Sequence, residues 1–226
     1  MKAPTHLAIA LSAALGVAAC GAAAQDAPAP TPAAEAGAPF TVNGEQLALP
    51  IPKFWKLAWM EGAADADYVA EYIPEDEDIN SWRGGYLQIS RAAYPPADVL
   101  ARLAEARVNI SDMALAQHIS TAARHCGGRH EAMRTQALTY NGIRLALGGG
   151  FCDQYGPAAP FGEGAYIAFV EGKDYMFRLH YGWRPRTPAE RASYLPWRLA
   201  PAADAYFQDA LKAATLCGGK DQPPCA

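Results

Sequence analysis

The sequence predicts an α+β domain, a mainly antiparallel sheet with helices packed on it. Three features carry that prediction. Short runs alternate apolar and polar residues and are joined by turn-forming residues, as strands in hairpins require. Between and after them, apolar residues recur at helical spacing. Ahead of residue 40 neither period occurs, so the fold is expected to begin there.

Taken in order, Phe54-Trp55-Lys56-Leu57-Ala58-Trp59 reads as a strand and Tyr68-Val69-Ala70-Glu71-Tyr72-Ile73 as its hairpin partner, with 62–67 as the turn. After the acidic loop Glu75-Asp76-Glu77-Asp78, the run Gly85-Tyr86-Leu87-Gln88-Ile89-Ser90 alternates as a third strand. Tyr94-Pro95-Pro96 closes it and the period changes: Val99, Leu103, Ala106 and Ile110 share one helical stripe. Proline is tolerated in a first helical turn because its missing N–H would be unpaired there. Ser111 is placed to cap a second helix whose Leu115, Ile119 and Ala122 share a face, and Cys126-Gly127-Gly128 stops it.

Strands are expected at 132–139 and 143–147 around Asn141-Gly142, a dipeptide whose residues both tolerate positive φ. Two more, 166–170 and 175–181, flank Glu171-Gly172-Lys173-Asp174. In the last, Tyr175, Phe177, Leu179 and Tyr181 face one way and Met176, Arg178 and His180 the other. Gly148-Gly149-Gly150 lacks the Lys and Ser/Thr of a phosphate-binding loop and suits a strand that bends or packs closely. A closing helix spans 202–216, with Phe207, Leu211 and Ala214 inward and Gly218 as its stop.

From Phe54 to Leu216 this order of elements resembles the PsbP-like α-β-α sandwich, found among extrinsic photosystem proteins and small bacterial lipoproteins. The resemblance rests on order alone. Tyr72-Ile73-Pro74 followed by Asn80-Ser81-Trp82 resembles a group of proteobacterial lipoproteins that brings no activity with it.

Residues 1–19 read as an export signal: Lys2 gives the positive end, and an apolar run of about 13 residues ends at Ala19. That run is too short for a bilayer of ~30 Å, which takes roughly 20 helical residues. Val17-Ala18-Ala19-Cys20 resembles a bacterial lipobox, whose cysteine receives diacylglycerol before cleavage; Leu is commonest where Val17 stands. The resemblance implies palmitate-type acyl chains on Cys20, of which one anchors marginally and two or three hold firmly. By analogy with enterobacterial sorting, Gly21 after the cysteine implies the outer membrane, facing the periplasm. The competing pattern Ala22-Ala23-Ala24 satisfies an A-x-A cleavage site and would release a soluble periplasmic protein starting at Gln25.

Residues 20–39 are nearly all Ala, Pro, Gly and Thr, with only Asp26 and Glu35 charged, and read as a tether. Its reach is about 24 Å as a coil and up to about 59 Å in polyproline form. Residues 40–217 suit a single domain, which at that length buries close to ~70% of its unfolded surface and needs no metal to fold. Residues 218–226 form a short tail that a disulfide could tie down. The formal charge of −4 becomes −5 once Lys2 is lost, which leaves no basic footprint for nucleic acid. Cys126, Cys152, Cys217 and Cys225 make an even set in an exported chain, where oxidation is the default. Of three connectivities, sequence proximity favours Cys126–Cys152 with Cys217–Cys225.

No motif for catalysis stands out. His125-Cys126-Gly127-Gly128-Arg129-His130 offers two imidazoles and a thiol, but zinc's fourth ligand has no candidate and Cys126 is expected in a disulfide. The acidic loop lacks the alternation, glycine and closing glutamate of a calcium loop, so no metal or cofactor is expected. There is no G-x-S-x-G elbow; a periplasmic hydrolase or transferase would have to bring Asp153 and His180 together. The most distinctive candidate is the stretch around Trp183, Arg184 and Arg186, continuing through Arg191, Tyr194, Trp197 and Arg198. Arginine pairs bidentately with carboxylate or phosphate and stacks on rings, so this segment is the expected contact for an envelope protein or an anionic glycan or lipid. The expectation is a lipid-anchored binding or scaffolding module of the cell envelope, rather than an enzyme.

Overall fold

A computed structural model of the chain describes residues 41–83, 85–194 and 201–225. Along the chain its strands and helices are β1 (Gln46–Ala48), β2 (Trp55–Gly62), β3 (Tyr68–Pro74), β4 (Tyr86–Ala93), α1 (Ala97–Glu105), α2 (Ile110–His125) and β5 (His130–Ala132). There follow β6 (Gln136–Tyr140), β7 (Ile143–Cys152), β8 (Glu163–Glu171), β9 (Tyr175–Trp183), α3 (Pro188–Tyr194), α4 (Pro201–Ala213) and β10 (Thr215–Cys217). The fold is α+β, and every strand pair is antiparallel. Eight strands form the main sheet in the order β2-β3-β4-β9-β8-β7, with β5 and β6 dividing the outer edge of β7 between them.

Period-two alternation gives this sheet two apolar faces. On β8, Tyr166, Ala168 and Val170 join Phe177, Leu179 and Tyr181 of β9 against Phe207, Leu211 and Ala214 at and just beyond α4. Ile167, between them in sequence, points the other way to Leu115 of α2. The sheet is thus sandwiched between α2 and α4. The inward set Phe207, Leu211 and Ala214 is as the helical spacing predicted, and all three are buried.

Several boundaries differ from expectation. The stripe from Val99 to Ile110 is broken, because Arg107 takes a left-handed φ of 55° after α1 ends. Asn109 occupies the cap position of α2, and Ser111 is instead buried, its hydroxyl donating to Glu171 at 2.5 Å. The strand expected at 132–139 is two strands, with Met133 N–H donating to the Gly149 carbonyl at the switch between them. The closing helix stops at Ala213, and Thr215–Cys217 pairs with β1 as β10, so Gly218 (φ 75°) ends a strand rather than a helix. The segment before α4, expected as loop, contains α3. Its signal is present in the sequence: Thr187-Pro188-Ala189-Glu190 is a capping box with proline at the first helical position, and Thr187 Oγ accepts Glu190 N–H at 3.1 Å.

Both disulfides, Cys126–Cys152 and Cys217–Cys225, are formed, with Cα separations of 5.6 and 5.0 Å. The second closes a loop whose Gln222 amide donates to Glu45. Glu45 is fully buried and also accepts the backbone N–H groups of Lys173, Asp174 and Tyr175 at the β8–β9 turn. Beside it lies Arg91, buried between the rings of Tyr68 and Tyr175. Its guanidinium donates to the carbonyls of Asn43, Glu45, Ala64 and Ala66. The entering chain, the β2–β3 turn, the β8–β9 turn and the C-terminal loop therefore converge on one end of the sheet. No helix among the described residues is long and apolar enough to cross a membrane.

Candidate functional site

Strand register lines up Trp59, Glu71, Gln88, His180, Ile167 and Gly148 across the α2 face of the sheet. At Gly148 the helix approaches closely: a Cβ there would lie 3.1 and 3.2 Å from Leu115 and Ile119. Moving across to β9, β4 and β3, the row turns polar. Glu71 Oε1 accepts the Tyr86 hydroxyl at 2.5 Å and the Gln88 amide at 2.8 Å. Gln88 Oε1 in turn accepts Arg178 Nη2. His180 stands edge-on both to Tyr86 (5.6 Å between ring centres) and to His118 of α2 (6.2 Å), and His118 meets Phe169 at 6.0 Å. Gly182 leaves room above the strand for Trp82, which stacks on Tyr86 at 5.1 Å.

Burial sets the charge states of this cluster. It lowers His118 from 6.5 to about 4, with the Arg178 charge adding to the effect. His180 is held well below its ordinary value by burial, then by Arg178 and His118. Burial, followed by the bond to Glu71, raises the Tyr86 hydroxyl, which stays protonated and donates. Two neutral imidazoles thus lie within the electrostatic reach of the Arg178 guanidinium, while the Tyr86 phenol and the Gln88 amide bond the Glu71 carboxylate.

Acid sensitivity follows. Below pH 6.5 the unfolded chain protonates position 118 while the folded chain holds it neutral down to about pH 4. The unfolded state therefore binds more protons, and stability falls as the pH drops through that window, by up to about 3 kcal/mol. His118→Gln should flatten this loss when urea midpoints at pH 7 and pH 4.5 are compared. An unchanged pH slope in the variant would contradict the assignment.

The arginine–aromatic segment is divided by the structure. Trp183 is buried on the opposite face, against Tyr166 at 5.5 Å. Arg184 also points inward: Nε donates to Glu163 at 2.7 Å, and the guanidinium lies 3.8 Å over the Trp82 ring. These two are packing residues, not a docking surface. Arg191 pairs with Asp153 at 3.3 Å, and Arg186 is exposed. Trp197 and Arg198 lie outside the described residues, as does Cys20. Asp153 and His180 have separate partners: Asp153 binds Arg129 N–H and Arg191, His180 the rings of Tyr86 and His118. His125 Nδ1 lies 2.8 Å from the Thr121 carbonyl, and His130 packs where a Gly150 side chain would stand. Among the described residues no three His, Cys, Asp or Glu side chains come together to hold a metal.

The Arg178–His180 cluster escaped the sequence reading, although its signal was present. Alternation places Arg178 and His180 on one side of β9, but Gln88 and Glu71 join them only through strand register, which alternation alone does not supply.

No protein-family model matches this chain, and no curated protein matches it. Among solved structures, it is similar to the Ran-binding protein Mog1p of Saccharomyces cerevisiae, with 10% identity and a TM-score of 0.48 over 78% of this chain and 96% of that one. It is also similar to the cyanobacterial PsbP (CyanoP) of Synechocystis sp. PCC 6803, with 9% identity and a TM-score of 0.43 over 77% of this chain and 93% of that one. These likenesses concern the fold alone.

Proposed function

We propose that the chain is an exported binding or scaffolding module of the bacterial cell envelope, held at the outer membrane by acyl chains on Cys20. The observation that carries this reading is the polarity of the domain along its strands. The described chain enters at Thr41–Glu45, where Asn43 N–H donates to Ala64 of the β2–β3 turn at 2.9 Å. The opposite strand ends, about 25–30 Å away for strands of eight or nine residues, carry Phe54, Tyr155 and Arg186.

Phe54 is 77% exposed and Tyr155 51%. Phe54 adopts a left-handed φ of 63° that few non-glycine residues take, and its carbonyl accepts Glu75 N–H at 2.8 Å, which fixes the turn with the ring outward. A module tethered through its entering chain would present this far end to the envelope. The lipobox-type Val17-Ala18-Ala19-Cys20 and two disulfides in the folded domain agree with an oxidising, exported location.

Photocrosslinking in cells tests the reading. A photoreactive residue at position 54 should give discrete adducts to an envelope protein or glycan, and one at position 65, by the entering chain, should not. Arg186→Ala should reduce the position-54 adducts. Equal labelling from both positions, or none from position 54, would overturn it.

A further inference from the structure

We propose that Arg178, His180 and His118 form a binding site for a small monocarboxylate at the seam between β9 and α2. The inference stands apart from the envelope reading, because it rests only on the interior of the α2 face.

Arg178 is the starting point. Arg102, Arg129, Arg144, Arg184 and Arg191 each meet a carboxylate. Arg91, in the other face, has its carbonyl oxygens. Arg178 has neither: Nη2 donates to the neutral Gln88 amide oxygen, and Nε is buried without an acceptor. On the same strand face, His180 Nε2 is also buried without a partner. A buried polar group left unpaired is destabilising, the more so when charged. Guanidinium N–H groups can only donate, so the partner that would complete this cluster is an acceptor. A neutral imidazole can offer that same acceptor a second N–H.

Charge decides which acceptor fits. Glu71 already lies within the electrostatic reach of Arg178, although its Oε1 is engaged by Tyr86 and Gln88. A dianion such as phosphate would meet that carboxylate with only one guanidinium to offset it. A monocarboxylate adds the smaller repulsion against Glu71, and its planar group suits the guanidinium's fork of donors. Phe169, Tyr86 and the Trp82 ring over Gly182 crowd the surroundings, which limits the acid to a small one.

The test is a titration of the full-length protein, isotope-labelled at histidine, with sodium acetate at constant ionic strength, followed by imidazole NMR. Saturable shifts of His118 and His180 are expected, with His125 and His130 unmoved. Inorganic phosphate should bind at least tenfold more weakly, and Arg178→Gln should weaken acetate at least tenfold. If Arg178→Gln does not fold, the wild-type titration decides alone. Absent or non-saturable shifts at His118 and His180, equal phosphate affinity, or unchanged acetate affinity in a folded Arg178→Gln protein would each overturn the site.

Discussion

Arg91→Ala is expected to cost about 4 kcal/mol of folding stability, from the loss of several charge-assisted hydrogen bonds and the stranding of their buried carbonyl partners. The guanidinium reaches Asn43 at 2.6 Å, Glu45 at 3.0 Å, Ala64 at 3.0 Å and Ala66 at 2.9 Å. It thereby ties the entering chain to the β2–β3 turn, and its flat faces lie 4.9 and 4.4 Å from the ring centres of Tyr68 and Tyr175. For a domain of this size the loss corresponds to a melting shift of about 10 °C. Arg91→Lys should recover only part of it, because an ammonium is a point charge and cannot span carbonyls on two segments. Urea unfolding of the three proteins checks this, and a loss below about 1 kcal/mol in Arg91→Ala would contradict the role given to the clamp.

Gly149→Ala should be of similar severity, for a different reason. Gly149 has a φ of 148°, and a Cβ there would overlap the carbonyl oxygen of Ala165 on the paired strand and lie 3.2 Å from the Tyr166 Cα. Those atoms are backbone inside the sheet and cannot swing aside as a side-chain tip would. The Gly149 carbonyl also takes Met133 N–H at 3.0 Å, so a shift of β7 would disturb the β5–β6 switch. A loss of at least about 3 kcal/mol, or failure to fold, is expected from backbone strain plus steric overlap. Gly142→Ala is the control: its φ is 75°, but nothing lies within 4 Å of the added atom, so strain alone should cost about 1 kcal/mol. Equal losses in the two variants, by urea unfolding, would contradict the steric argument.

These two positions also show what one sequence makes legible. The glycine run 148–150 announced a strand that bends or packs closely, since glycine adds no side chain to pack. Alternation along 175–181 revealed both faces of β9, and helical spacing found the inward face of α4. Those are local signals. Arg91 and Glu45 are separated by 46 residues and meet only through the completed sheet, so no period marks them. β1 and β10 are three residues each, too short for alternation to register. The inward turn of Arg184 depends on Glu163 and on Trp82 arriving from a distant loop; its aromatic neighbours in sequence suggested a surface instead. The His118–His180–Arg178 cluster likewise needs strand register and a helix position that pattern reading leaves open.

The most direct measurement on the proposed lipid anchoring is the mass of the mature N-terminal peptide from native membranes. An N-terminus at Cys20 carrying acyl chains is predicted. An unmodified N-terminus at Gln25, or a retained Met1, would contradict it.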